Sequence, residues 1–216
     1  MKLLDQEFEL FGPLLLPSRD NAATKRIREV KRLDWDSGFN EIPEIRALQP
    51  GQVVFDVGAY IGDTAQTFLR RKCEVHAFEP RPDNFICLLH NCPQAHCYNL
   101  ALGDGNRYRT DTRGGNMGAY PLLPGAKYSV RLDELHAEQI DFLKIDVEGF
   151  EPHVIRGGVQ TILRLHPTIH VECNDPALAA HGASRDTIFE QLTRLGYKSF
   201  RCVYSCGPSQ TDWICT

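Results

Sequence analysis

A chain of 216 residues, 42% hydrophobic and 24% charged, with a formal net charge of −4, is long enough to bury a real core and too ordinary in composition for a disordered or fibrous protein. Its mild acidity gives no bulk attraction to nucleic acid or to an anionic membrane, so no nucleic-acid partner is expected. No apolar run approaches the length of a membrane span, and acidic residues interrupt Met1 to Leu10 where a secretory signal needs an apolar core; a cytoplasmic chain with its eight cysteines reduced is expected.

Residues 1–49 read as an N-terminal arm with helices, a lid or the contact of a homo-oligomer, ahead of a single domain over residues 50–216. Leu10 to Pro17 is an extended apolar stretch. Ser18 to Trp35 has helical spacing, with Ile27, Val30 and Leu33 on one side and the solvated basic cluster Lys25, Arg26, Arg28, Lys31 and Arg32 on the other. A short helix from Ile42 to Leu48 leads through Pro50-Gly51 into the domain.

Val53 to Gly62, V-V-F-D-V-G-A-Y-I-G, is the first informative stretch. An apolar run broken only by Asp56 predicts a buried parallel strand, Gly58 to Gly62 a tight turn, and Asp63 to Arg71 a helix with Ala65, Phe68 and Leu69 inward. Such a turn lets a ligand approach the backbone closely. Glu74 to Phe78 is the next strand and ends at Glu79-Pro80. A carboxylate about 20 residues beyond a glycine turn is where parallel sheets bind the ribose of a nucleoside cofactor. Asp83 to Asn91 then reads as helix and Ala95 to Leu102 as strand, ahead of the turn Gly103-Asp104-Gly105. Cys87, Cys92 and Cys97, with His90 and His96, lack the C-x-x-C pairs of common zinc sites and read as buried thiols.

The rhythm breaks over Asn106 to Ser129, read as short strands and loops that shape a substrate side. It resumes at Ile140 to Glu151, I-D-F-L-K-I-D-V-E-G-F-E, a strand whose end carries Asp146 and Glu148 where ligands of open sheets sit. A helix over Glu151 to Leu165, a strand over Thr168 to Val171 ending in Glu172-Cys173-Asn174-Asp175, a helix over Ser184 to Leu195, and a closing pair of strands, Lys198 to Val203 and Thr211 to Cys215, complete the chain.

The ordered set D-V-G-A-Y-I-G-D-T (Asp56 to Thr64), H-A-F-E-P-R-P (His76 to Pro82), A-L-G-D (Ala101 to Asp104), V-R-L-D-E-L (Val130 to Leu135) and L-K-I-D-V-E-G-F-E (Leu143 to Glu151) resembles the FkbM family of S-adenosylmethionine-dependent methyltransferases, over roughly residues 50 to 175. That family usually has Asn where this chain has Tyr60. The resemblance implies an α/β fold with a Rossmann-like seven-stranded methyltransferase sheet, mostly parallel with one antiparallel strand near the C-terminus and helices on both faces. It implies that Asp56, Gly58 and Gly62, with Ala59 and Tyr60 in the same turn, hold the methionine end of S-adenosyl-L-methionine. Glu79, beside Pro80, then binds its ribose; Asn99, Ala101 or Asp104 lies near the adenine; Asp146 and Glu148 face the methyl-transfer centre. The implied acceptor is a hydroxyl of a sugar, glycan or small metabolite.

A hydroxyl is a poor nucleophile unless its proton leaves as attack proceeds, so Asp146 is the first candidate base, with Glu148 and His153 next. Alternatively, Asp146, Glu172 and Asn174 hold a Mg²⁺ ion that polarises the hydroxyl. An NAD-dependent oxidoreductase is the weaker reading, because Gly58-Ala59-Tyr60-Ile61-Gly62 lacks the middle glycine that admits a pyrophosphate. A non-catalytic nucleoside-cofactor-binding module of the same fold is the other alternative, opposed by the presence of Asp146 and Glu148.

Overall fold

The computed structural model describes residues 2–3, 6–11, 13–17, 37–110 and 122–216. The helix expected over Ser18 to Trp35, with its basic cluster, and the middle of the 106–129 segment lie outside the described residues. Strands β1 (Lys2–Leu3), β2 (Gln6–Phe11) and β3 (Leu14–Pro17) form a small antiparallel sheet, followed by helices α1 (Ser37–Glu41) and α2 (Pro43–Arg46).

Strand and helix then alternate: β4 (Val53–Val57), α3 (Asp63–Arg70), β5 (Glu74–Phe78), α4 (Pro82–Asn91) and β6 (His96–Tyr98). Strands β7 (Arg107–Thr110) and β8 (Leu122–Tyr128) form a separate antiparallel pair. The alternation resumes with β9 (Phe142–Ile145), α5 (Glu151–Gly157), α6 (Val159–Leu165), β10 (Thr168–Asn174), α7 (Asp175–Ala180) and α8 (Arg185–Arg194), and closes with β11 (Phe200–Ser205) and β12 (Gln210–Cys215). The main sheet has seven strands in the order β11-β12-β10-β9-β4-β5-β6. Its pairs from β10 to β6 are parallel, and β12 runs antiparallel to both neighbours, as the expected architecture requires.

Strand periodicity decides what each face buries. Val53, Phe55, Val57, Leu143 and Ile145 pack against Val154, Ile155, Ile162, Ile188 and Leu192 from α5, α6 and α8. Val54, Ala77 and Phe142 point the other way, against Ala65, Phe68 and Leu88 of α3 and α4 and Ile45 of α2. Because every residue of β4 is buried, both faces of this strand are apolar except at Asp56. At about 1.5–3 kcal/mol for each large apolar side chain removed from water, this layer is the main source of stability.

Three elements differ from the sequence expectation. The helix expected over Glu151 to Leu165 is two helices that meet at Gly158, because Gly157 packs on the Gly103 carbonyl so closely that a Cβ would lie 1.7 Å from its oxygen. The strand expected over Ala95 to Leu102 is regular only from His96 to Tyr98. Helix α7 was not expected; Asn174 caps it and Pro176 follows at the start of its first turn. No described helix is long and apolar enough to cross a membrane.

Candidate active site

The carboxyl ends of β4, β5 and β9 bring the sequence motifs together. Gly58 turns at φ +84°, and a Cβ there would lie 1.8 Å from the Asp146 carbonyl oxygen, so the turn needs glycine both for its conformation and for its contact with the end of β9. The turn is closed by its own hydrogen bonds. Gly58 and Ala59 both donate N–H to the Phe78 carbonyl, Gly62 donates to Ala59, and Tyr60, left-handed at φ +49°, donates to Oε2 of Glu79 at 3.0 Å.

Glu79 is buried where β5 ends. Its Oε1 accepts from the Arg81 N–H at 2.9 Å and from the Asn84 amide, and the Asn99 amide donates to its carbonyl at 2.9 Å. Burial pushes the carboxyl up to about 7 against the pull of these hydrogen bonds. Pro80 is half-buried beside it, and Ala101 is buried against Phe150 and Val147. Thus Tyr60, Glu79 and Asn99 form one connected group.

A second group centres on Lys144. Asp56 and Lys144 are direct partners in the β4–β9 register, on the face shared with Val54 and Phe142. The Lys144 ammonium lies 3.1 Å from Asp56 Oδ1 and 3.5 Å from Asp146 Oδ2, and donates to the Gly58 carbonyl at 3.1 Å. Thr64 donates to the other Asp56 oxygen at 2.6 Å. Burial alone would discharge the lysine; Asp56, Asp146 and Asp63 outweigh it and hold the amine protonated above the usual lysine value. Asp63 is itself pushed up to about 7 by burial and by the charges of Asp56 and Asp146. Lys144 stands in the motif without an assigned role in the sequence reading, yet a lysine inside the apolar run F-L-K-I was the available signal.

The chain after β9 folds into a tight turn, with Glu148 at φ +55° and Gly149 at φ +95°. Oε1 of the buried Glu151 accepts the N–H groups of Val147 and Gly149 at 3.0 and 3.1 Å. The turn sets Asp146, Glu148 and Glu172 so that one carboxylate oxygen from each falls within 4.8 Å of the others. Glu148 is held well above the carboxylate range by burial and by Asp146 and Glu151, and Glu172 by burial and by Asp146, Glu148 and Glu151; Asp146 is the open member, its side chain 37% exposed. Asn174, expected beside Asp146 and Glu172 in a metal set, instead accepts from the Ala177 N–H as the cap of α7. Among the acidic side chains, Glu148 is the third member of the group.

Asp104 and His153 form a third group. His153 Nδ1 and Asp104 Oδ2 are 2.9 Å apart, Arg156 donates to the same oxygen at 3.2 Å, and the His153 ring stacks on Phe150. Among the described residues no hydrogen bond or ion pair joins His153 to Asp146 or Glu148.

The sequence profile of the methyltransferase FkbM domain matches residues 56–129 and 126–199. A mouse (Mus musculus) tRNA (guanine(37)-N(1))-methyltransferase is 27% identical over 197 residues, covering 81% of this chain and 37% of the mouse protein. The structure of an FkbM methyltransferase from Methylobacillus flagellatus KT is similar with a TM-score of 0.55 at 16% identity, over 90% of this chain and 53% of that one. An rRNA methylase from Streptococcus thermophilus is similar with a TM-score of 0.51 at 13% identity, over 86% of this chain and 96% of that one. The chain therefore spans little more than a third of the mouse relative and about half of the Methylobacillus protein. The matched stretches take up well over half of its 216 residues, and they hold the glycine turn, Glu79, Lys144 and the acidic turn after β9: the chain belongs to the FkbM methyltransferase family.

Proposed function

We propose that the chain is an S-adenosylmethionine-dependent O-methyltransferase acting on a hydroxyl of a sugar, glycan or small metabolite, with residues 50–216 as the catalytic domain and residues 1–49 as an N-terminal arm that serves as a lid or a subunit contact. One observation carries the choice of cofactor. The N–H groups of Gly58, Ala59, Tyr60 and Gly62 are all spent inside the protein, and the carboxylates of Asp56, Asp63, Glu79 and Asp146 surround the turn. A diphosphate finds these four donors already taken and meets carboxylates, whereas a cofactor with a cationic centre is attracted. The glycine cradle and this charge fit S-adenosylmethionine: the Asp56–Lys144–Asp63 side would take its methionine end, Glu79 its ribose hydroxyls, and Asn99 with Ala101 its base.

When bound, that cofactor supplies a methyl group on a sulfonium that departs as a neutral thioether. The chain has to orient the acceptor, exclude water and take up the hydroxyl proton. Glu148 is the base we assign, because burial and the neighbouring carboxylates of Asp146 and Glu151 push its carboxyl up to about 8, near the working pH. Asp146, more open and tied to Lys144, positions the acceptor. His153 has its Nδ1 committed to Asp104 and serves the fold of that loop.

The similarity to the mouse tRNA enzyme favours a second reading, methylation of a nucleic-acid base, against which the net charge of −4 stands. Calorimetry with S-adenosylmethionine, S-adenosylhomocysteine and NAD tests the cofactor; NAD binding with no response to the other two sinks the proposal. A panel of hydroxylated acceptors and a tRNA transcript, assayed for S-adenosylhomocysteine release, separates the two acceptor classes.

A further inference from the structure

At the opposite end of the same strands, where β5 and β6 begin, Glu74, His76 and His96 converge. His76 and His96 are direct partners in the parallel β5–β6 register, and Glu74 lies two residues before His76, so all three share one face of the sheet. Ligand-type atoms of the three lie within 4.8 Å of one another. His76 Nε2 is 3.0 Å and His96 Nε2 3.8 Å from the same oxygen, Oε1 of Glu74. The imidazoles stack at 4.8 Å, so both rings bring the same nitrogen to that carboxylate. The other nitrogen of His76, Nδ1, is 3.2 Å from the Tyr98 hydroxyl.

We propose that Glu74, His76 and His96 form a binding site for a divalent transition-metal ion of the zinc class, separate from the methyl-transfer site. Two imidazoles and one carboxylate are a donor set that zinc accepts, with water in the fourth position. Ligand bonds of about 2.0–2.2 Å in a tetrahedron set neighbouring ligand atoms about 3.3 Å apart. The two separations from Glu74, 3.0 and 3.8 Å, bracket that value and the third lies within 4.8 Å, so rotation of the exposed His96 side chain toward His76 completes the geometry. Tyr98 supplies the partner that a metal-bound histidine needs on its remaining nitrogen, fixing the ring's orientation.

The consequence lies in the sheet. β6 is a three-residue edge strand whose one neighbour is β5, and Asn99 follows it directly. A bound ion clamps β6 to β5 and so stiffens the edge that carries Asn99, three residues or about 10 Å along the strand from His96 at the usual rise per residue.

Zinc chloride titrated into the tag-free, metal-free chain tests this by calorimetry and by thermal unfolding. His96 is 58% exposed, so His96→Ala keeps the fold, which circular dichroism confirms before titration. One equivalent of zinc binds, raises the midpoint of unfolding, and is weakened at least tenfold by His96→Ala and by Glu74→Gln. Cobalt in place of zinc gives visible absorption that His96→Ala abolishes. Blocking the exposed thiols Cys202 and Cys206 leaves the zinc affinity unchanged. Wild-type affinity in His96→Ala, loss of binding on thiol blocking, or no zinc uptake overturns the proposal. Cofactor binding by His96→Ala stays at the wild-type level, so the metal site and the methyltransferase reading fail separately.

Discussion

Lys144 and Asp56 face each other across β9 and β4 with nitrogen and oxygen 3.1 Å apart, and their side chains are 2% and 0% exposed. A buried ion pair of this kind is a weak source of net stability, but removing one partner strands the other. Lys144→Met therefore lowers the unfolding free energy in urea by about 3–5 kcal/mol, because Asp56 is left as an uncompensated buried charge. The double variant Lys144→Met with Asp56→Asn regains at least half of that loss. A single variant as stable as the parent would show that the lysine is not what permits a carboxylate inside β4.

Asn91 anchors the described end of the N-terminal arm, with His90 on the Pro13 carbonyl beside it. Asn91, buried at the end of α4, accepts from the Leu15 N–H at 2.8 Å and donates to the carbonyls of Leu15 and Ile61, both at 3.0 Å. Leu15 and Leu16 pack there against Ile61 and Cys87, with Tyr60 at the margin. Asn91→Ala removes the anchor at about 1–3 kcal/mol, a cost that falls on the arm because β3 can release while the main sheet stays folded. Amide exchange at Leu15 accelerates at least tenfold, and exchange in β4 does not change. Equal acceleration in both places would mean that the arm and the sheet unfold together.

The glycine turn, the acidic residue after β5 and the strand before Asp146 were legible because each is a local pattern: an apolar run, then small residues, then a carboxylate. The Lys144 pairing was not, since it depends on β9 inserting beside β4 although 84 residues separate Val57 from Phe142 in sequence order. Asn174, expected in a metal set, caps α7 with the same side-chain oxygen that ligation would use. The N-D-P sequence at Asn174 to Pro176 is a helix-start signal, and α7 begins there. Tyr60 is explained in part: the position is left-handed, a conformation that asparagine tolerates better than tyrosine, and the ring is compensated by its packing near Leu14 to Leu16.

The cluster of proton-holding carboxylates makes stability fall as pH rises. Burial moves Asp63, Glu79 and Glu151 each up to about 7, so between about pH 4.5 and 7 the unfolded chain releases protons that the folded chain keeps. Stability contributed by the neutral forms is present below that window and lost across it. For Glu79 alone, moving from 4.5 to about 7 is worth about 3 kcal/mol. Urea unfolding of the cofactor-free chain at pH 5.5 and pH 8 shows the decline, and Glu79→Gln, which cannot ionise, makes the slope shallower. A cationic ligand favours the ionised carboxylates, so affinity for S-adenosylmethionine rises from pH 6 to pH 8 more steeply than affinity for S-adenosylhomocysteine, whose sulfur is neutral. Equal slopes for the two would remove the electrostatic argument for the cofactor.

Glu148 and Asp146 stand in one acidic group but are expected to fail differently. Glu148 is held above the ordinary carboxylate range by burial, then by Asp146 and Glu151, and sits at a left-handed φ of +55° that the Glu151-capped turn imposes. A base of raised pKa in a strained, fixed position is suited to take a hydroxyl proton near neutral pH. With an acceptor found by the panel, Glu148→Gln lowers kcat by about 10²–10³, leaves the cofactor dissociation constant within threefold, and erases the rise of activity with pH, because the neutral amide has no proton to lose. Asp146→Asn weakens the hold on Lys144 and raises KM more than it lowers kcat. If Glu148→Gln keeps both its turnover and its ascending pH limb while Asp146→Asn loses them, the base is Asp146 and the raised pKa of Glu148 is only a consequence of its burial.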